Sequence, residues 1–127
     1  MKPKVLLVED DPSLAQIYKV ELEMDGFEVV VSTDGEQGLN AAKNDQPNLI
    51  LLDIVLPKIN GLVVLEKLKQ TEEVKNIPVI VITNFGQEEN VKKAFTLGAE
   101  DFILKYQTTP AEVAQKIKDI LGRQVKL

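Results

Sequence analysis

The sequence contains no cysteine and no histidine. Without cysteine, the chain can form no disulfide, no thiolate nucleophile and no thiolate metal site. Without histidine, it lacks the commonest general base, the commonest zinc ligand and any phosphohistidine. Reactive chemistry is therefore left to carboxylates, hydroxyls and amines.

The sequence also lacks a basic excess and a long apolar run. Its net charge of −5 argues against direct contact with nucleic acid, which needs a basic face. No apolar run approaches the roughly 20 residues that span a bilayer, and residues 1–8 are too short for a signal peptide. We therefore expect a cytoplasmic protein without membrane contact. Its 127 residues predict a single domain over 1–127, with a core of about 4–121 and a loose tail at 123–127.

Short apolar runs recur along the chain and are typical of buried parallel strands. The most informative run, residues 48–52, leads directly into Asp53 and is bounded by Pro47 and Pro57. Because an unpaired buried charge is costly, Asp53 should lie where its strand leaves the core. The other predicted strands are residues 5–8, 27–31, 77–82 and 101–104.

Helical spacing separates these runs. In the first helix, which begins near Pro12 and stops at Gly26, the inward residues are predicted to be Leu14, Ile17, Tyr18 and Leu22. Capping boxes are predicted at Thr33 with Glu36 and at Thr109 with Glu112. Gly61 and Val91 mark the third and fourth helices, and Gly122 is expected to close the fifth.

Five βα units predict a parallel sheet with right-handed crossovers and helices on both faces. The two commonest strand orders are 3-2-1-4-5 and 2-1-3-4-5. Five strands in a chain of this length favour the second, a flavodoxin-like α/β fold.

Charged and hydroxyl side chains follow four predicted strands at the point where each strand ends. They are Glu9 and Asp10, Asp53, Thr83, and Lys105. In the 2-1-3-4-5 order these four strands are neighbours. The side chains should therefore meet at the carboxyl edge of the sheet, where ligands of open α/β sheets bind.

This set of side chains predicts a site for a metal and a phosphoryl group. Three carboxylates in one pocket repel each other and favour a cation, and hard oxygen ligands suit Mg²⁺. A hydroxyl and an ammonium beside that metal would bind an oxyanion such as a phosphoryl group. Asp53 is then placed as a nucleophile that would form an aspartyl phosphate. No glycine-rich loop is present, so a nucleotide cradle of the usual type is not expected.

Each of these residues, taken alone, also has a purely structural interpretation. Asp11 and its acidic neighbours suit a helix N-terminus, Thr83 could satisfy a backbone group, Lys105 could be solvated, and Phe102 could be core. The functional interpretation depends on the common placement at strand ends.

Together with Leu56-Pro57 and Asn60-Gly61, this set resembles the receiver domain of two-component response regulators, including the chemotaxis regulators. The resemblance covers about residues 4–121. It implies that Asp53 accepts a phosphoryl group from a histidine kinase or phosphotransfer protein, as in a phosphorelay. It also implies that Lys105 pairs first with Asp53 and then with the phosphoryl oxygens.

The resemblance implies further roles at the metal and the switch. Asp10, Asp53 and the Val55 backbone carbonyl would ligate Mg²⁺, and Glu9 would act through a metal-bound water. Thr83 would move to the phosphoryl group and Phe102 would turn inward. The face of the fourth helix, fifth strand and fifth helix would then change shape.

The sequence departs from the family pattern at three positions. Tyr106 replaces the proline that usually follows the lysine; because a cis bond here would cost about 3 kcal/mol, we expect a trans Lys105–Tyr106 bond or else a strained cis one. Asn84 replaces a small residue. Val91 stands where arginine is typical, so the pattern that supports symmetric dimers is incomplete, and we expect a monomer or a weak phosphorylation-dependent dimer.

Two other functions compete with a phosphoacceptor switch. A hydrolase of the haloacid dehalogenase type needs a second aspartate two residues after the nucleophile, a position occupied by Val55. A pseudo-receiver would bind partners without taking phosphate. We expect no enzyme activity beyond the chain's own phosphorylation and dephosphorylation. The chain is either a single-domain regulator or part of a longer one, with an unknown target.

Overall fold

The computed structural model describes residues 2–124, and the side chains of residues 2–122. Strands and helices alternate along this part of the chain. In chain order they are β1 (Lys4–Val8), α1 (Pro12–Met24), β2 (Glu28–Ser32), α2 (Gly35–Asp45), β3 (Leu49–Leu52), α3 (Gly61–Gln70), β4 (Val79–Thr83), α4 (Glu88–Thr96), β5 (Asp101–Leu104) and α5 (Pro110–Gln124).

The strands form one sheet in the order β2-β1-β3-β4-β5, and every neighbouring pair is parallel. This confirms the predicted fold and strand order. The register places Val8 opposite Leu52, and Thr83 opposite Leu104. Because these residues end their strands, whatever follows each of them emerges at the same edge of the sheet.

Two apolar layers cover the two faces of the sheet. Alternate strand residues point to opposite faces, so Leu7 and Leu51 pack with α1 and α5, whereas Leu6 and Leu52 pack with α2 and α3. All four leucines are fully buried. Each contributes roughly 1.5–3 kcal/mol of stabilisation by leaving water. This two-sided core explains why the strands are continuously apolar.

The two predicted capping boxes had different outcomes. At α5 the prediction is confirmed: the Thr109 amide donates to Glu112 Oε1 at 2.9 Å, and the Glu112 amide donates to Thr109 Oγ1 at 3.1 Å. At α2 it is wrong by one residue. Asp34 is the N-cap and accepts from the Gln37 amide at 2.8 Å, because a carboxylate satisfies the free amides at least as well as a hydroxyl.

Three further predictions need correction. Ile17 was expected to face inward but is 52% exposed, and Ala15 is buried instead. Gly122 does not close α5, which continues to Gln124 because an α-helix tolerates glycine at a modest cost. The predicted loose tail is helical at residues 123 and 124, and its remaining residues, 125–127, lie outside the described part. Among the helices described, none has the length and apolar character to span a bilayer.

Gly61, the first residue of α3, packs against the backbone that follows β3. A Cβ there would collide with the Asp53 carbonyl oxygen and lie 2.6 Å from Ile54 Cα. We predict that Gly61→Ala lowers the free energy of unfolding by about 1–3 kcal/mol, since backbone must move to admit the methyl group. Urea denaturation provides the measurement.

Gly122→Ala is the matched control. A Cβ at Gly122 meets nothing within 4 Å, and alanine has the higher helix propensity, so this variant should be up to about 1 kcal/mol more stable than the native chain. Equal stability of the two variants would contradict the close packing at Gly61.

Candidate functional site

Glu9 and Asp53 lie one residue beyond the ends of β1 and β3. The Glu9 amide donates to the Ser32 carbonyl at 2.9 Å, and the Asp53 amide donates to the Val8 carbonyl at 3.1 Å. These bonds extend the sheet hydrogen bonding past the assigned strands and hold both backbones in place. Both residues are buried, with 1% and 4% exposed. Two carboxylates are thus fixed side by side at the carboxyl edge.

Lys105, directly after β5, joins the two carboxylates. Its Nζ lies 2.6 Å from Glu9 Oε1 and 2.7 Å from Asp53 Oδ2. The lysine side chain is only 9% exposed. Such short charge-assisted bonds offset the cost of burying the charges. Within the described residues no peptide bond is cis, so of the two alternatives expected for the Lys105–Tyr106 bond the structure has the trans one.

Asp10 completes an acidic cluster with these two residues. A carboxylate oxygen from each of Glu9, Asp10 and Asp53 lies within 4.8 Å of the other two. Asp10 is exposed, whereas the other two are buried. Asp11, next in sequence, belongs to α1 instead, because its Oδ1 accepts from the Ser13 and Leu14 amides. The cluster offers only oxygen donors, which suits a hard divalent cation.

The pKa values of Lys105 and Glu9 are shifted by burial and by their contacts in the site. Burial alone would lower the pKa of Lys105, but its bonds to Asp53 and Glu9 outweigh this effect, so the pKa is raised. Burial also raises the pKa of Glu9, and here the bond to Lys105 only partly opposes it. Lys105 is therefore held firmly in its charged form, whereas burial disfavours the charged form of Glu9.

The two oxygens of Asp53 have different partners. Oδ1 accepts from the Val55 amide at 3.1 Å, and Oδ2 accepts from Lys105.

Thr83 ends β4 fully buried, and its Oγ1 accepts from the Phe85 amide at 3.2 Å. Phe102 on β5 is partly buried against the apolar layer that contains α3. The predicted site residues from four strand ends thus occupy one edge of the sheet.

One contact of the site was absent from the sequence prediction, which paired Lys105 with Asp53 alone. Glu9 binds the same ammonium, and at the shorter distance. A signal existed: a carboxylate one residue beyond a buried strand needs a cation, and Lys105 follows β5 at the same carboxyl edge of the sheet.

Comparison with known proteins identifies the family. The model of the response regulator receiver domain matches residues 5–118. The chain belongs to this family. It is therefore a receiver domain of two-component signalling, as its resemblance implied.

Similar proteins agree with this assignment. The chain is 34% identical over 123 residues to the transcriptional regulatory protein PhoP of Bacillus subtilis, covering 97% of this chain and 50% of PhoP. It is 41% identical over 120 residues to CpxR of Escherichia coli, covering 94% of this chain and 50% of CpxR. The chain therefore spans about half the length of these curated relatives.

Solved structures agree in fold. A CheY-like receiver domain from Methanospirillum hungatei superposes with a TM-score of 0.91 at 31% identity, covering 98% of this chain and 97% of that one. The Mn²⁺-bound form of the response regulator Rcp1 superposes with a TM-score of 0.81 at 29% identity, covering 98% of each chain.

The raised pKa of Lys105 predicts a specific loss of stability in alkali. A lysine whose folded pKa is raised contributes stability fully below its unfolded pKa of about 10.4, and the contribution disappears as pH rises through the folded pKa. At pH 7, Lys105→Met should lower the free energy of unfolding by about 3 kcal/mol, because it leaves buried carboxylates unpaired. The difference from the native chain should shrink as pH rises above about 10.4 toward the raised pKa of Lys105.

Urea denaturation at stepped pH measures this difference. Lys92→Met is the control, because Lys92 is 74% exposed in an ion pair with Glu88 and its removal should cost little at any pH. If the free energies of unfolding of Lys105→Met and the native chain differ by the same amount at every pH up to 12, the raised pKa of Lys105 is contradicted.

Proposed function

We propose that the chain is a phosphoacceptor switch in which Asp53 takes a phosphoryl group from a histidine kinase or phosphotransfer protein. The observation that supports this most directly is the Asp53 Oδ2–Lys105 Nζ contact of 2.7 Å beside the acidic cluster. A buried carboxylate paired with a fixed cation, at an edge open through exposed Asp10, has both a nucleophilic oxygen and charge to stabilise the incoming anion.

The transfer is a displacement at phosphorus. A carboxylate oxygen of Asp53 forms the new O–P bond while the N–P bond to the partner's phosphohistidine breaks and the electron pair leaves with the imidazole. Lys105, held charged by its neighbours, exchanges its bond to Asp53 for one to a phosphoryl oxygen. Because this ammonium is already in place, little reorganisation is needed during the reaction.

The donor set fits Mg²⁺. Asp10 and Asp53 would ligate it directly with the Val55 carbonyl, and Glu9 would act through a bound water. When bound, the metal supplies charge that neutralises the phosphoryl oxygens. Hard oxygen ligands with few protein donors are what Mg²⁺ prefers, and one oxygen from each of the three carboxylates lies within 4.8 Å of the other two.

The switch would use Thr83 and Phe102. After phosphorylation, the Thr83 hydroxyl would leave its bond to the Phe85 amide and bind the phosphoryl group. Phe102, now partly buried, would fill the vacated space. The face formed by α4, β5 and α5 would change shape, as a two-state equilibrium biased by one added anion.

Partners and location follow from this function. The relatives named above are transcriptional regulators, so an output region or a target protein would read the switched face. We propose a cytoplasmic signalling protein, without direct nucleic-acid or membrane contact by this chain, that is a monomer or a weak phosphorylation-dependent dimer. It would have no enzyme activity beyond its own phosphorylation and dephosphorylation.

Phosphorylation by acetyl phosphate and Mg²⁺ tests the acceptor. The native chain should gain one phosphoryl group by intact-mass measurement and lose it in hydroxylamine, which cleaves acyl phosphates. Asp53→Ala should gain none, because it lacks the nucleophile. Asp45→Asn, a substitution at the C-terminal end of α2, should behave as the native chain does.

Two outcomes would contradict this proposal. Native chain that stays unmodified at saturating donor would favour a pseudo-receiver. Turnover of p-nitrophenyl phosphate that depends on Asp53 would favour a hydrolase.

The switch is tested separately with Thr83→Ala, which keeps the acceptor but removes the hydroxyl. We expect phosphorylation by acetyl phosphate, while the phosphorylation-induced NMR shifts of Phe102 and α4 fall to less than about half of the native values. Thr83→Ser is the control, since it keeps the hydroxyl. Native-like shifts in phosphorylated Thr83→Ala would rule out the hydroxyl as the link.

A further inference from the structure

The segment between Asp53 and α3 contains a strained turn. Lys58 has φ of 69°, in the left-handed region that favours glycine, and the Ile59 amide donates to the Pro57 carbonyl at 2.8 Å. A hydrogen bond from residue i+2 to residue i around a central positive φ defines the strained form of the γ-turn. Such a conformation persists only where surrounding structure holds it.

The surrounding structure is the start of α2. Lys58 Nζ lies 3.6 Å from Asp34 Oδ2. The Asp34 side chain is 8% exposed, and its other oxygen caps α2 through the Gln37 amide. Next to it, Gly35 packs so closely on the turn that a Cβ would lie 2.7 Å from the Ile59 carbonyl oxygen. The turn is thus held against a buried carboxylate that is itself rigid.

Hydrogen bonds hold both ends of the same segment. At its start the Val55 amide binds Asp53 Oδ1, and at its end the Gly61 amide donates to the Ile54 carbonyl at 2.7 Å. Residues 54–60 therefore have little freedom between two fixed points. A change in the turn at Lys58 must be absorbed by the backbone around Val55.

We propose that Asp34 and Lys58 form a latch that holds this turn and so positions the Val55 backbone for cation binding. The inference rests on the proposed function, in which the Val55 carbonyl is a metal ligand. Asp34 and Lys58 are positioning residues, because they act through the segment and do not touch the cation. The Lys58 side chain is 58% exposed, so the ion pair itself contributes little, and its effect on the site comes from holding the turn.

Electrostatics and positioning predict opposite results for Lys58→Met. Removing a positive charge near the acidic cluster should tighten the binding of a divalent cation by Coulomb attraction alone. Loss of the latch should instead weaken it. We expect the Mg²⁺ Kd of Lys58→Met, measured by calorimetry with MgCl₂, to rise about threefold, the scale of an exposed ion pair. Lys58→Arg should restore a native Kd.

Two further variants separate the latch from charge and from stability. Asp34→Asn/Lys58→Met has the native net charge, and asparagine still caps a helix; we expect its Kd to stay about threefold raised, as in Lys58→Met. Lys58→Gly should raise the thermal midpoint, because glycine adopts this φ without strain, and yet weaken Mg²⁺ binding. If Lys58 affected Mg²⁺ binding only through the stability of the fold, a higher thermal midpoint would come with tighter Mg²⁺ binding.

The outcomes are distinguishable. Native Mg²⁺ affinity or tighter in Lys58→Met, or a native Kd in the charge-balanced double variant, would overturn the latch and leave the proposed function intact. No Mg²⁺ binding by the native chain would overturn both. Lys92→Met, which removes an exposed lysine on α4, should bind as the native chain does.

Discussion

The site depends on one buried ammonium shared by two carboxylates. Lys105 lies within 2.7 Å of both Glu9 and Asp53, and all three side chains are less than 10% exposed. Removing Lys105 would leave two buried carboxylates without a cation in a place where water screens poorly. The contact also joins residues 96 positions apart in sequence. The ion pairs of Lys105 therefore link the residues that follow β1, β3 and β5 at the edge of the sheet. The chemistry proposed for Asp53 uses the same cation.

The parallel sheet makes this contact possible. All five strands point the same way, so every strand delivers its following residue to one edge. The apolar residues of β1, β3 and β4 fill both layers of the core, and polar side chains in these strands are confined to their ends. Consequently, the same burial that stabilises the fold also concentrates Glu9, Asp53 and Lys105 in a partly desolvated pocket, where the net negative charge attracts a cation strongly.

The fold and the placement of Glu9, Asp53 and Lys105 at one edge of the sheet could be predicted because both depend on local pattern. Apolar runs ending in Asp53, Thr83 and Lys105 indicate parallel strands, and the parallel sheet then requires those ends to meet. The contacts and orientations of individual side chains were harder to predict from the sequence. The Glu9–Lys105 bond depends on distances between strand ends, and Ile17 lies at the border of its helix face, where spacing alone does not distinguish inward from outward. The turn at Lys58 carries no glycine or asparagine to signal its positive φ.

If the residues that follow the strand ends form one cation site around Asp53, substoichiometric Mn²⁺ should report it. Paramagnetic broadening of backbone amide NMR signals falls steeply with distance from the bound ion. We expect the signals of Asp10, Asp53 and Val55 to broaden first and excess Mg²⁺ to restore them. Broadening centred on another acidic surface, such as Glu88 and Glu89 at the start of α4, would contradict it.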